Sequence, residues 1–519
     1  MKDDHMNGAE SLVHSLLANG VEVCFTNPGT SEMHFVAALD HIPGMRSILA
    51  LQEAVATGAA DGYYRMARKP ASTLLHLGPG LANGVSNLHN AKKAGSGVVN
   101  IVGEHASGHI ALDAPLTADI EGIARPVSHW VRTSGSAASV GRDAAEAVQA
   151  AMTAPGQIAT LILPSDTAWD AGGSPAAALD APAPAPFDES KLAQASAALD
   201  GPETLLLLGG TALTEENLET AGRIAAKTGC KLLSEWSNAR LERGAGRVAI
   251  GRVPYPIDMA LKVLEPFKRI VLIGARAPIG FFAYPGKPAI LTREGAEIVT
   301  LADAGADLGA ALTGLCTELA ASDTPPAHVA RHDLPDAPSG TIDLEKLAAC
   351  IARAIPQDGI VVDESVTTGR AFSPATMGTA RHTWLNNCGG SIGYCLPAAI
   401  GAAIACPDRR VMALTGDGSA MYTVQALWTM ARENLDITTL VFANRSYKIL
   451  RGELTNVGVG NPGPRAIDML SLDRPALDWV QMSHSMGVDA VRVTTCEDLE
   501  AALQDGLTRK GPSLIEVVL

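Results

Sequence analysis

No run of eighteen apolar residues occurs anywhere in the chain, and the N-terminal MKDDHMNGAESL contains no apolar core. The first absence argues against a membrane-spanning helix and the second against a secretory signal. The eight cysteines form no CxxC pair and no Cys/His cluster, which argues against a zinc site or a redox dithiol. They stand in apolar contexts such as IACPD and GYCLP and read as small core residues in a reducing compartment. Positive charge is short: 40 Lys and Arg face 55 Asp and Glu, for a net charge of −15. Nucleic acid and anionic lipid would repel such a surface. These absences predict a soluble, cytoplasmic protein with no nucleic-acid and no membrane partner.

What is present is apolar and glycine-rich: 519 residues, 47% apolar, with 51 glycines and only 4% aromatics. That length exceeds a single core. Two Pro- and Ala-rich stretches without helical or strand period, AGGSPAAALDAPAPAPFDES (171–190) and ASDTPPAHVARHDLPDAPSG (321–340), read as linkers. They divide the chain into an N-terminal domain (1–170), a central domain (191–320) and a C-terminal domain (341–519). In each, short apolar runs alternate with helical patterns. VEVCFTNPG, STLLHLGPG and GVVNIVGEH stand in the first, TLLLLGG, KLLSEW, RIVLIGA and EIVTLA in the second, and GIVVDES, RRVMALTGDG, DITTLVFANRS and SLIEVVL in the third. Continuous apolar strands separated by helices predict an α/β fold of three doubly wound parallel sheets. Ligands bind such sheets at the carboxyl ends of the strands. Asn27, His76, Glu104, Glu364, Asp417 and Asn444 all fall at such ends.

One of these ends is unusual. LTGDGSAMYT places Asp417 between Gly416 and Gly418, and the following MYTVQALWTMAREN has a helical apolar spacing. LDITTLVFAN then reads as a strand ending at Asn444. A strand–helix–strand unit makes the two strands parallel and sets their carboxyl ends side by side. A carboxylate, an amide oxygen and a helix N-terminus at one point suit a divalent hard cation bridging a diphosphate.

A GDG turn, a helix and then an Asn closing a strand resemble the thiamine-diphosphate signature of the pyruvate oxidase and acetolactate synthase superfamily. The resemblance implies thiamine diphosphate (ThDP) and Mg²⁺ as cofactors. Asp417, Asn444 and the Ser446 carbonyl would be the metal ligands, and Gly416, Gly418 and Ser419 would lie at the diphosphate. It also names the N- and C-terminal domains as pyrimidine-binding and diphosphate-binding. SILALQEAVATGAADGYYRMARKPA resembles the stretch bearing the glutamate that activates the cofactor, which makes Glu53 the candidate.

FTNPGTSEMHF, LLHLGPGLANG and GGSIGYCLPAAIGAA look most like benzoylformate decarboxylase. That likeness implies His76 as an active-site histidine, a residue type suited to relaying protons near neutrality. It implies Thr30 as a substrate-contacting hydroxyl, Asn27 as a shaper of the cofactor loop, and Ile392 as the apolar buttress of the bent cofactor. It further implies an obligate dimer with active sites at the interface, and pairing of dimers into a tetramer. One departure stands out. Benzoylformate decarboxylase has a second catalytic histidine in its central domain, whereas ARAPIGFFAYPGKPA offers Phe281, Phe282 and Tyr284. Phe281 and Phe282 read equally as substrate pocket or as core. Some relatives carry FAD, but the central block has no GxGxxG, which predicts no flavin.

The function implied is non-oxidative decarboxylation of a 2-oxo acid through an enamine to an aldehyde, with carboligation if a second carbonyl compound intercepts it. An acetolactate synthase-type carboligase acting on pyruvate is the nearest alternative. An inactive ThDP-binding regulatory protein and a nucleotide-binding protein of doubly wound fold are two from other classes.

Overall fold

The computed structural model describes residues 6–519. Three sheets succeed one another along the chain. The first contains β1 (Val23–Asn27), β2 (Arg46–Leu49), β3 (Ala71–Leu75), β4 (Val98–Glu104), β5 (Trp130–Thr133) and β6 (Ile158–Pro164), all parallel, in the order β2-β1-β3-β4-β6-β5. In the second stretch β7 (Thr204–Leu208) and β8 (Lys231–Ser234) are followed by β9 (Leu241–Arg243), β10 (Gly251–Arg252), β11 (Arg269–Ile273) and β12 (Glu297–Ala302). The third has β13 (Gly359–Glu364), β14 (His382–Asn386), β15 (Val411–Gly416), β16 (Ile437–Ala443), β17 (Asp489–Val493) and β18 (Ser513–Val518). Each strand expected from an apolar run is found, and the central ones, β-branched and leucine-rich, are buried on both faces.

Two features differ from the sequence expectation. β9, from the central stretch, leaves its own sheet and pairs antiparallel with β14 at the edge of the third, through His382↔Arg243 and Trp384↔Leu241. Three residues carry too little apolar pattern to show which sheet they will join. The helix after GDG is also not continuous. It runs as a short turn of helix (Asp417–Ala420), a 3₁₀ turn (Met421–Thr423) and a second helix (Ala426–Arg432). The tightening falls where Thr423 Oγ1 donates to the Gly393 carbonyl at 3.0 Å, a contact from another loop that the local sequence cannot announce.

Alternate residues of the central strands enter opposite cores, as the pleat demands. Val23 and Phe25 of β1 face one core while Cys24 faces another; Val411 and Ala413 of β15 face one while Met412 and Leu414 face the other. A single apolar cluster runs from the first sheet to the third without interruption, including Val55, Ala59, Tyr63, Tyr394, Ala398 and Ala402. The two helices at its centre, Glu53–Ala67 and Cys395–Ala405, touch backbone to backbone. A Cβ at Gly62 would lie 2.1 Å from the Ala398 carbonyl oxygen, and one at Gly401 would lie 1.9 Å from that of Ala59. Among the described residues no helix is long and apolar enough to cross a membrane.

Gly401→Ala is expected to destabilise the protein by roughly 1–3 kcal/mol, because a methyl group there meets backbone that cannot yield. Gly452→Ala, in the helix Lys448–Asn456 with nothing within 4 Å of the added Cβ, should be neutral or stabilising by up to about 1 kcal/mol. Urea midpoints at constant slope distinguish the two.

Candidate active site

The site is built from strand tips. At the end of β15, Asp417 opens the next turn of helix and is buried. Its Oδ1 accepts the Gly418 amide at 2.9 Å and its Oδ2 accepts the Arg445 amide at 2.7 Å. Arg445 follows Asn444 at the tip of β16, so the parallel pairing of β15 with β16 does bring Asp417 against the loop that carries Asn444. Asn444 Oδ1 accepts the Ser446 amide at 3.0 Å, which fixes that loop. Burial raises the Asp417 carboxyl, against the Arg445 and Gly418 amides, which lower it. A buried carboxylate with a raised pKa is one that a cation would stabilise.

Gly416 faces open space: a Cβ there would meet only Ser419 Oγ, at 4.0 Å. A Cβ at Gly418 would strike the Tyr447 ring at 2.5 Å, so the turn admits no side chain at that position. Ser419 is buried within the same turn. Among the described residues no three His, Cys, Asp or Glu side chains converge. A metal here would therefore rest on one carboxylate with amide and carbonyl oxygens, a donor set that suits Mg²⁺ better than zinc. The residues fit the ion and a diphosphate beside it. A cavity of about 560 Å³ adjoins this tip, lined by Thr367, Thr368, Asn444, Ser446, Lys448 and Arg451, among others. Thr367 and Thr368 escaped the sequence reading. Their signal was a pair of hydroxyls just past a strand tip.

A second group lies at the tips of the first sheet. Glu53 opens the helix Glu53–Ala67, is buried, and accepts from Asn83 Nδ2 at 3.0 Å. His76 follows β3 and precedes the helix Leu77–Ala94. Gly80 lies between them: its Cβ would be 3.3 Å from Glu53 Oε1 and 3.3 Å from His76 Cβ. The two residues, 23 positions apart in sequence, thus share one small space. Asn27, at the tip of β1, pairs in register with Leu75 and stands beside them.

His76 is held by a residue that sequence reasoning missed. Its Nδ1 lies 2.8 Å from Glu32 Oε2, a carboxylate that is almost wholly buried. Glu32 also accepts the Gly29 amide at 2.7 Å and the Ser31 hydroxyl at 2.6 Å. The slot it fills exists because Gly103 has no side chain; a Cβ there would sit 1.6 Å from Glu32 Oε1. The hydroxyl nearest His76 is that of Ser31, 3.3 Å from Nδ1, whereas Thr30 is exposed at the start of the 3₁₀ turn. Asn83, Asn87 and Asn90 escaped notice too, although their spacing lays three amides on one helix face. Asn87 donates to the Ala54 and Gly393 carbonyls and Asn90 to that of Ser391, which ties this helix to the loop of Ile392.

Phe281 and Phe282 are not core residues; they are 39% and 53% exposed. Phe281 packs edge-on to Trp236 at 5.1 Å and to Phe282 at 4.8 Å. Its Cζ would lie 2.9 Å from a Cβ on Gly390, in the same loop as Ile392. Tyr284 donates to Glu453 Oε2 at 2.5 Å, joining this aromatic segment to the helix that follows the Asn444 loop.

Two family models match the chain, one towards each end. Residues 6–123 match the family model described as thiamine pyrophosphate enzyme, N-terminal TPP binding domain, and residues 369–517 match the C-terminal TPP binding domain. The chain belongs to the thiamine pyrophosphate enzyme family. It is 48% identical over 516 residues, 99% of each chain, to a Mycobacterium tuberculosis protein named "Putative acetolactate synthase large subunit IlvX". It is 30% identical to benzoylformate decarboxylase of Pseudomonas aeruginosa, over 97% of each chain. In fold it is similar to the ThDP-dependent 4-hydroxybenzoylformate decarboxylase of Rhodococcus jostii RHA1, with a TM-score of 0.84 over 98% of both chains at 24% identity.

Glu32→Ala is expected to cost roughly 1–3 kcal/mol of stability, since it strands the Gly29 amide and His76 Nδ1 in a half-buried place. Glu32→Gln, which keeps an acceptor oxygen and the side-chain volume, should cost less than half as much by chemical denaturation.

Proposed function

We propose that the protein is a ThDP- and Mg²⁺-dependent enzyme that decarboxylates a 2-oxo acid without oxidation and releases the aldehyde. The observation that carries this reading is the meeting of Glu53 and His76 across Gly80, the imidazole being backed by buried Glu32. When bound, the cofactor supplies an electron sink for the pair of electrons left as carbon dioxide departs. Asp417, Asn444 and Ser446 would hold the metal, with Gly416, Gly418, Ser419, Thr367 and Thr368 at the diphosphate. Glu53, kept in place by Asn83, holds the proton shared with the pyrimidine ring. Ile392 supports the cofactor from beneath.

His76 moves a proton at the carbon that becomes the aldehyde. Its Nδ1 points at Glu32, which leaves Nε2 as the exchanging atom. Phe281, Phe282 and the hydroxyl-bearing loop of Thr30 and Ser31 receive the substrate. A second copy of the chain completes each site in a dimer. The exposed Met33, Leu51, Ile110 and Leu112 from the first domain and Tyr422 and Met469 from the third support this, since a monomer would leave them to water.

A second reading, carboligation of pyruvate as in acetolactate synthase, is favoured by one observation. The aromatic wall of Phe281 and Phe282 offers no proton where benzoylformate decarboxylase has its second histidine. A wall that supplies no proton there would favour reaction with a second carbonyl compound over release of the aldehyde.

Incubation with ThDP, Mg²⁺ and a panel of 2-oxo acids, with and without acceptor aldehydes, separates the readings. Aldehyde and carbon dioxide in equal amounts support decarboxylation, and acetolactate from pyruvate supports the second. Absence of both across the panel would overturn the proposal. Glu53→Gln should lower turnover by at least about 10²-fold with the melting temperature unchanged. Asp417→Asn should abolish the rise in melting temperature that ThDP and Mg²⁺ together produce in the wild type.

A further inference from the structure

Glu364, the last residue of β13, has no part in the chemistry above, yet it is among the most fully bonded carboxylates in the molecule. Its Oε1 accepts the Tyr394 amide at 3.1 Å and Asn387 Nδ2 at 3.1 Å. Its Oε2 accepts the Gly393 amide at 3.3 Å and the Cys395 amide at 3.2 Å. Three consecutive backbone N–H groups at the head of the helix Cys395–Ala405 thus converge on one side chain. Those are donors that a helix start otherwise leaves unpaired. Glu364 caps the helix from a neighbouring strand, not from its own chain segment.

The residues gripped lie just past Ile392. On its other side, Ser391 donates its amide to Asn90 Oδ1 at 3.1 Å, and its carbonyl accepts from Asn387 Nδ2 at 2.7 Å and Asn90 Nδ2 at 2.8 Å. The Gly393 carbonyl accepts from Thr423 Oγ1 and Asn87 Nδ2. Both neighbours of Ile392 are pinned, while its own side chain is left half-buried. Asn387 links the two halves, since it donates to Glu364 and to Ser391 O together.

We propose that Glu364 is a positioning residue whose carboxylate, by gripping the amides of Gly393, Tyr394 and Cys395, sets where Ile392 stands beneath the cofactor. This rests on the reading of Ile392 as the cofactor's support. The grip needs both oxygens as acceptors. Protonation converts one of them into a donor facing N–H groups, and the loop loses part of its anchorage. Burial pushes the Glu364 carboxyl up to about 7, against the lowering effect of its four donors. The titratable groups facing it are the Cys395 thiol of the capped helix and Asp363 beside it on β13; Asn387 and Thr415 of the paired β15 are neutral. The Cys395 thiol, raised well above its usual range by burial, stays neutral throughout, so the charge that changes near pH 7 is that of Glu364. Its folded value lies above that of an ordinary carboxyl, so the charged, gripping form is complete only above about pH 7 and is lost as pH falls through it.

Amide hydrogen exchange of the full-length protein without cofactor, from pH 6 to 8.5 and corrected for intrinsic rates, tests this directly. In the wild type, protection of residues 389–395 should rise at least tenfold through about pH 7. In Glu364→Gln it should be low and flat, with peptides from the helix Gly8–Ala18 unchanged in both. Wild-type protection that does not vary with pH, or that survives in Glu364→Gln, would overturn the proposal; the wild-type profile suffices if the variant fails to fold. With cofactor and a processed 2-oxo acid, Glu364→Gln should lose 10- to 100-fold in kcat with KM within threefold. Ile392→Ala should show the same loss in kcat with wild-type exchange. An unchanged kcat in Glu364→Gln would also overturn it. Failure of every 2-oxo acid to react in the wild type would remove the proposed activity and leave the exchange result standing.

Discussion

The guanidinium of Arg65 is the joint on which the rest of the molecule turns. It pairs with Asp61 through two bonds of 2.8 and 2.7 Å, with both side chains out of water. It also donates to the carbonyls of Asn386 and Ala239 and to the Tyr394 hydroxyl. One side chain from the first sheet's helix thereby fixes a strand end of the third sheet, the start of β9 and the head of the helix Cys395–Ala405. Burial opposes its charge, but Asp61 more than offsets this and holds it protonated. Removing either partner would leave an unpaired charge in the interior, a change that typically costs about 3–5 kcal/mol. The glycines of the two helices serve the same contact by letting their backbones meet.

That joint reaches two of the proposed cofactor residues. The helix carrying Arg65 begins at Glu53, and the helix it packs against begins just after Ile392. The residue proposed to hold the pyrimidine proton and the residue proposed to support the cofactor are therefore fixed to one rigid pair of helices, each facing a site that a second copy of the chain would complete. The asparagines of the helix Leu77–Ala94 bridge the same two regions with amide hydrogen bonds. Polar contacts of this kind are directional, and they set the loop's position more tightly than apolar packing does.

Three strand tips of this region carry strained backbone. Leu77, Val366 and Arg445, each within two residues of a strand end in this region, have φ of 48°, 50° and 52°, in the left-handed range that favours glycine. For β-branched Val366 that conformation is especially costly. Such residues persist where surrounding bonds over-determine the backbone, as the Arg445 amide does by donating to Asp417. The central domain departs in another way. Five of the chain's few aromatics, Trp236, Tyr255, Phe281, Phe282 and Tyr284, gather in one patch, and Phe281 touches the Ile392 loop.

Eleven of the strands, their parallel direction and the meeting of Asp417 with the Asn444 loop were legible in the sequence, because each depends on a local apolar run and on the rule that a crossover sets strand ends side by side. Glu53 and His76 were legible as residues, by motif, but their closeness was not; it depends on Gly80 entering between them from a later helix. Glu32 and Arg65 left no local sign at all, and Glu364 showed only as an acid at a strand end. A carboxylate or a guanidinium is ordinary in a sequence and becomes exceptional only when folding removes water from it and supplies donors or acceptors from remote segments. The sequence by itself determined where apolar chain would bury and where strands would end. Only the tertiary structure decided which polar groups would be buried with them, because that choice is made by hydrogen-bond partners from other elements, 30 positions away for Glu364 and Tyr394 and 321 for Arg65 and Asn386.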